Sequence, residues 1–111
     1  MRIAIPKEQL GERRIAMTPQ VAGRLLASGH DVVVESGLGE ALGFRDDSYQ
    51  DEGARVSVSP CDDAELILVV GPPTAERAAH FPEGSVLAGF LDPFSSTELV
   101  TTLVDRRITA F

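Results

Sequence analysis

Two short apolar runs limit this chain more than any other feature. They are Asp31-Val32-Val33-Val34-Glu35 and Glu65-Leu66-Ile67-Leu68-Val69-Val70. Consecutive β-branched and aliphatic residues without polar alternation fit strands covered on both faces, as in a parallel sheet. Parallel strands need crossover segments, and the intervening sequence supplies helical ones. Arg2–Ile5 predicts a first strand ended by Pro6, and the polar stretch 7–17 with Gly11 predicts a loop. Thr18-Pro19 has the form of a helix start, a hydroxyl cap before a proline in the first turn. The helix should bury Val21, Leu25 and Leu26 with Ala22 beside them, and stop at Gly29.

Residues 36–45 are glycine-rich and loop-like. Asp46-Asp47-Ser48 should open a short helix ending near Gly53, since acids favour a helix N-terminus. Arg55–Val58 predicts a weak strand, Ser59–Asp62 a capped turn, Thr74–His80 a short helix, and Ser85–Leu91 a strand. Ser95-Ser96-Thr97-Glu98 has capping-box spacing, and the helix after it should bury Leu99, Leu103 and Val104. Ile108–Phe111 predicts a last strand; a strand of a buried sheet in that position is expected where a longer protein has been cut. This alternation predicts a single α/β domain over 1–111, a three-layer sandwich with a mostly parallel sheet of flavodoxin-like or Rossmann-like type.

Charge narrows the partners. Ten Lys and Arg against seventeen Asp and Glu give a net charge of −7, which argues against a broad nucleic-acid surface or an anionic membrane surface. No apolar run is long enough for a membrane-spanning helix, so direct membrane insertion is not expected. A single cysteine, Cys61, rules out an internal disulfide and fits a cytoplasmic location; the residue should lie at the surface or half-buried. His30 and His80 stand far apart, and no metal-ligand spacing occurs.

Three places can be weighed for chemistry. Gly37-Leu38-Gly39-Glu40-Ala41-Leu42-Gly43 has the spacing of a dinucleotide fingerprint. It follows the second strand rather than the first, and the next helix begins with two acids that would repel pyrophosphate, so a structural turn is the better reading. Lys7, Arg13 and Arg14 lie on the loop after the first strand, the end at which open α/β sheets bind ligands. They suit a carboxylate or phosphate, or simply ion pairs with Glu8 and Glu12. Asp92, before Pro93, stands at another strand's carboxyl end and suits a ligand contact or a turn before the next helix.

A colinear set of segments resembles the alanine dehydrogenase and pyridine nucleotide transhydrogenase family at its N-terminal domain. The set runs from Met1–Glu8 and Glu12–Pro19 through Gly29–Gly39 and Phe44–Asp47 to Ala54, the strand at 66–70 with Pro73, and Gly89-Phe90-Leu91. The resemblance implies an oxidoreductase parent whose NAD(H) fingerprint lies in a following domain, with no cofactor bound by residues 1–111 alone. In that family, alanine dehydrogenases hold pyruvate with an arginine, a lysine and a histidine. Arg14 stands at the arginine position, but Gly71 and Asp92 occupy the other two.

Leu91-Asp92-Pro93 is more similar to the alpha subunit of proton-translocating transhydrogenase, which passes hydride between NAD(H) and NADP(H). That likeness implies no catalytic residue here. Lys7, Arg14 and Asp92 would be cleft residues, and the partners would be the NAD-binding domain and the membrane and NADP-binding components. The parent would then be cytoplasmic, attached to the cytoplasmic face of the inner membrane, with a homodimer left open. The alternatives are an alanine dehydrogenase-like substrate domain and a stand-alone, non-catalytic α/β binding module.

Overall fold

Strand-forming runs and helical crossovers alternate throughout the computed structural model, which describes residues 1–111. The order is β1 (Arg2–Ile5), α1 (Pro19–Ala27), β2 (Asp31–Glu35), α2 (Asp46–Asp51), β3 (Arg55–Ser57), β4 (Leu66–Leu68), α3 (Ala75–Ala78), β5 (Val86–Ala88), α4 (Thr97–Asp105) and β6 (Thr109–Ala110). All six strands pair in parallel, in the order β3-β2-β1-β4-β5-β6. The chain winds outward from β1 in one direction, then returns to β4 and winds outward in the other. The reversal falls between β1 and β4, so the loops after those two strands diverge and leave a crevice at the sheet's carboxyl edge.

Side chains of β1 alternate between two cores, as a pleated strand requires. Ile3 and Ile5 join Val32, Val34, Ala22 and Tyr49 on the face covered by α1 and α2. Ala4 joins Ile67, Leu87, Phe81, Leu99 and Leu103 on the face covered by α3 and α4. Ile5, Ile67 and Leu87 are wholly inaccessible, each worth about 1.5–3 kcal/mol of burial. The resulting three-layer, Rossmann-like sandwich is the fold class expected from the alternation.

Local signals acted largely as their chemistry demands. Thr18 accepts the Val21 N–H at the start of α1, and Gly29 takes a left-handed φ of +93° after it. The differences are also physical. Val21 is 40% exposed, because α1 presents Ala22 and Pro19 to the sheet and leaves Leu25 and Leu26 half-buried. Val104 is 69% exposed, since Leu99 and Leu103 already define the inward stripe of α4 and the next position turns away. Ser96, not Ser95, caps α4 by accepting the Leu99 N–H; Ser95 bonds back to the Asp92 carbonyl.

Cys61 is buried, contrary to the half-buried or surface expectation, because the turn 59–62 folds under the sheet beside Ala64 and Ala78. Burial pushes its thiol up to about 12. β4 is shorter than its apolar run for an instructive reason. Val69 N–H still bonds to the Ala88 carbonyl, but the next two N–H groups are taken by a side chain instead of a strand.

Candidate functional site

The crevice between β1 and β4 has a volume of about 360 Å³ and is lined by Lys7, Glu8, Gln9, Gly71, Thr74 and Arg77 among others. Its walls are two loops, and four acidic side chains hold them and the neighbouring turn in place. Glu8 accepts the N–H groups of Val70 and Gly71, both at 2.9 Å. Gln9 adds a second stitch, donating from Nε2 to the Pro72 carbonyl at 2.6 Å. Glu35, at the end of β2, accepts the Lys7 N–H at 3.1 Å and pairs with the Arg77 guanidinium. Arg77 also donates to the Lys7 carbonyl. A carboxylate that is only 16% exposed therefore ties β2, the β1 loop and α3 together.

Glu12 holds Arg14. It accepts the Arg14 N–H, Nε and Nη2, at 2.9–3.0 Å. These bonds, the side-chain ones foremost, bring the Glu12 carboxyl down to about 2 and raise the Arg14 guanidinium. Asp46 holds the glycine turn, with Oδ1 accepting from Gly37 N–H at 2.8 Å and Oδ2 from the Ser36 hydroxyl at 2.7 Å. The Gly37 bond is the main reason its carboxyl lies below the usual range. The donor that a pyrophosphate would need at the glycine run is thus already satisfied, and Gly39 is a packing position. A Cβ there would lie 2.6 Å from Phe44 Cβ and 2.9 Å from its carbonyl oxygen.

Lys7 and Arg14 line one shared crevice of about 270 Å³ against the glycine turn, with Glu12 and Glu40. Lys7 makes no ion pair, whereas Arg14 is engaged by Glu12. Asp92 is not brought to them. It stands exposed in the left-handed region at φ +44°, a conformation aspartate tolerates. It borders a separate apolar groove of about 700 Å³ with Phe90, Leu91, Val100 and Phe111. Its carbonyl accepts from Ser95, which makes it the turn before α4.

Neither histidine joins the crevice, and no cluster of three or more His, Cys, Asp or Glu is placed to hold a metal. Glu35, Gln9 and Arg77 were not singled out from sequence, and Glu8 was read there only as an ion-pair partner, not as a backbone clasp. Their partners lie 28 to 70 positions away, and only the strand order brings them together.

The fold is shared with known proteins. Residues 4–111 match the model described as the alanine dehydrogenase/PNT N-terminal domain. This chain belongs to that family. It is 40% identical to an alanine dehydrogenase of Halomonas elongata and 36% identical to one of Bacillus subtilis, covering 98% and 99% of this chain. It spans 30% of the length of each of those relatives. Among solved structures it superposes on a transhydrogenase from Sinorhizobium meliloti with a TM-score of 0.91 at 31% identity, over 98% of this chain and 33% of that one. It superposes equally well on an L-alanine dehydrogenase, with a TM-score of 0.91 at 28% identity, over 99% and 31%. Family members are oxidoreductases, and this is the front domain of that architecture. No helix in it is long and apolar enough to cross a membrane.

Several backbone donors at this edge are already taken. The Gly37 N–H and the two N–H groups at the end of β4 are spent on Asp46 and Glu8, and Arg14 and Arg77 are paired, which leaves Lys7 and Arg13 as the unpaired cations there.

Proposed function

We propose that residues 1–111 form one wall of the NAD(H) cleft in an oxidoreductase of transhydrogenase type, moving against a nucleotide-binding domain supplied by the rest of that protein. The observation that carries this reading is the chemistry of the carboxyl edge. Where an organic-acid site of this family would need a lysine and a histidine, the chain has Gly71 and Asp92. Gly71 offers no charge, and an exposed carboxylate at 92 repels an acid substrate. Steric need does not explain the glycine. A Cβ at 71 would meet nothing closer than Glu8 Oε1 at 3.8 Å.

The domain's role is then positional. Lys7, an unpaired cation of the crevice, faces the nucleotide's phosphates when the cleft closes, and Arg14 does so once released from Glu12. Hinge closure about a ligand is the common motion of two-domain proteins of this kind. Hydride passes between NAD(H) and NADP(H) in the complete assembly, whose other members are membrane and NADP-binding components at the cytoplasmic face of the membrane. The competing reading is an alanine dehydrogenase-like substrate domain, favoured by the identity of the curated relatives.

Calorimetric titration of NADH into the 111-residue chain tests the division of labour. The expected dissociation constant is weaker than about 1 mM, a binding free energy smaller than about 4 kcal/mol. Micromolar binding would show that the chain holds the nucleotide by itself and would overturn the wall assignment.

A further inference from the structure

Two backbone donors at the end of β4 are satisfied by a side chain that comes from 62 and 63 positions earlier. Val70 N–H points at Glu8 Oε2 and Gly71 N–H at Glu8 Oε1, each at 2.9 Å. Two successive N–H groups turned the same way make a concave anion site, and a carboxylate that spans both forms charge-assisted bonds. The location is the place where the strand order reverses, the usual ligand position in an open α/β sheet. Gly71 presents only its backbone there, with room for a Cβ. We propose that the Val70–Gly71 main chain is a carboxylate-binding seat, occupied in this protein by Glu8 as an internal ligand. When Glu8 is withdrawn, the seat accepts a free small monocarboxylate.

The seat has two consequences. Glu8 fastens the loop carrying Lys7 and Arg14 to the β4 loop, and Gln9 repeats the attachment at Pro72. It also closes the seat to external acids in the native chain, because an intramolecular carboxylate is present at high effective concentration. The proposal concerns the domain's own main chain and stands whichever hydride reaction the complete protein performs.

The experiment uses the ¹⁵N-labelled 111-residue chain, Glu8→Ala and Glu8→Gln, with sodium formate as the probe and sodium chloride at matched ionic strength as the control. In Glu8→Ala, formate should shift the Val70 and Gly71 amide resonances saturably, by at least about tenfold more than in the native chain. Formate should also raise the variant's melting temperature while leaving the native value unchanged. If the alanine variant does not fold, Glu8→Gln decides. Its neutral oxygen is the weaker acceptor, and formate should displace it from the same two amides. Equal responses to formate and chloride, or a native response as large as the variant's, would overturn the proposal. So would silence in both variants.

Discussion

Tyr49→Ala is expected to cost about 3–5 kcal/mol of folding stability, the usual range for emptying a large buried aromatic site. Tyr49 is wholly inaccessible although it sits on a six-residue helix made otherwise of polar side chains. Its ring fills the core between α1, α2 and β2, beneath the glycine turn, and its hydroxyl donates to the Met17 carbonyl at 2.8 Å. Losing the ring opens a cavity and strands that carbonyl. Tyr49→Phe separates the two effects. It keeps the ring and should cost about 1–3 kcal/mol, the penalty for an unsatisfied buried acceptor.

The same hydroxyl carries a pH signature. Burial first, and the charge of Asp46 second, push it up to about 12 from an ordinary value of 10.0. The folded state holds this proton more tightly than the unfolded state. The contribution is therefore whole below pH 10 and is lost as the pH rises toward about 12. Urea unfolding of the native chain and Tyr49→Phe across that window checks the account. The phenylalanine variant should lose this share of the alkaline decline, and identical declines would contradict the assignment.

Gly89→Ala is the second large effect, expected to cost about 1–3 kcal/mol through overpacking. A Cβ at residue 89 would lie 2.5 Å from the Val69 carbonyl oxygen and 2.6 Å from Val69 Cγ2. The oxygen belongs to backbone held by the ladder, so relief requires β4 and β5 to separate where they approach the crevice. Gly71→Ala, two residues past that same carbonyl, is the control. Its nearest neighbour would be 3.8 Å away, and the change should stay within about 0.5 kcal/mol. Denaturation midpoints for the two variants should differ clearly; equal midpoints would mean that the close approach at Gly89 carries no energy.

These residues also mark how far the sequence could be followed. The strand runs and the cap of α1 were legible because each depends on neighbours in the chain. Three valines at 32–34 need cover on both faces, Thr18 needs only the N–H of Val21, and Gly29 needs only its own freedom at positive φ. Even the glycine run could be taken as a turn, since it follows the second strand and two acids open the next helix; in the structure one of them, Asp46, accepts from Gly37.

Tyr49 was not legible, because its value rests on a carbonyl 32 residues away. Nor were the Glu8 clasp, across 62 and 63 positions, and the Glu35–Arg77 pair, across 42. Each requires β1 to lie between β2 and β4, and the alternation of elements alone does not dictate that order. Lys7 and Arg14 could be placed on the right edge of the sheet from sequence. An ion pair with Glu12 was among the readings of that loop, and the structure gives it to Arg14 while Lys7 makes none.

The family assignment leaves one division, between transhydrogenase and alanine dehydrogenase chemistry. Both are represented among proteins of matching fold. Gly71 and Asp92, at the carboxyl edge where an acid substrate would need cations, favour the first.

Hydride transfer by the full-length protein that carries this domain tests that claim most directly. Supplied with NADH and an oxidised NADP analogue, it should reduce the analogue, and with L-alanine and NAD it should form no NADH. Reduction of NAD with L-alanine, without hydride exchange between the two nucleotides, would contradict the account and assign the domain to an alanine dehydrogenase.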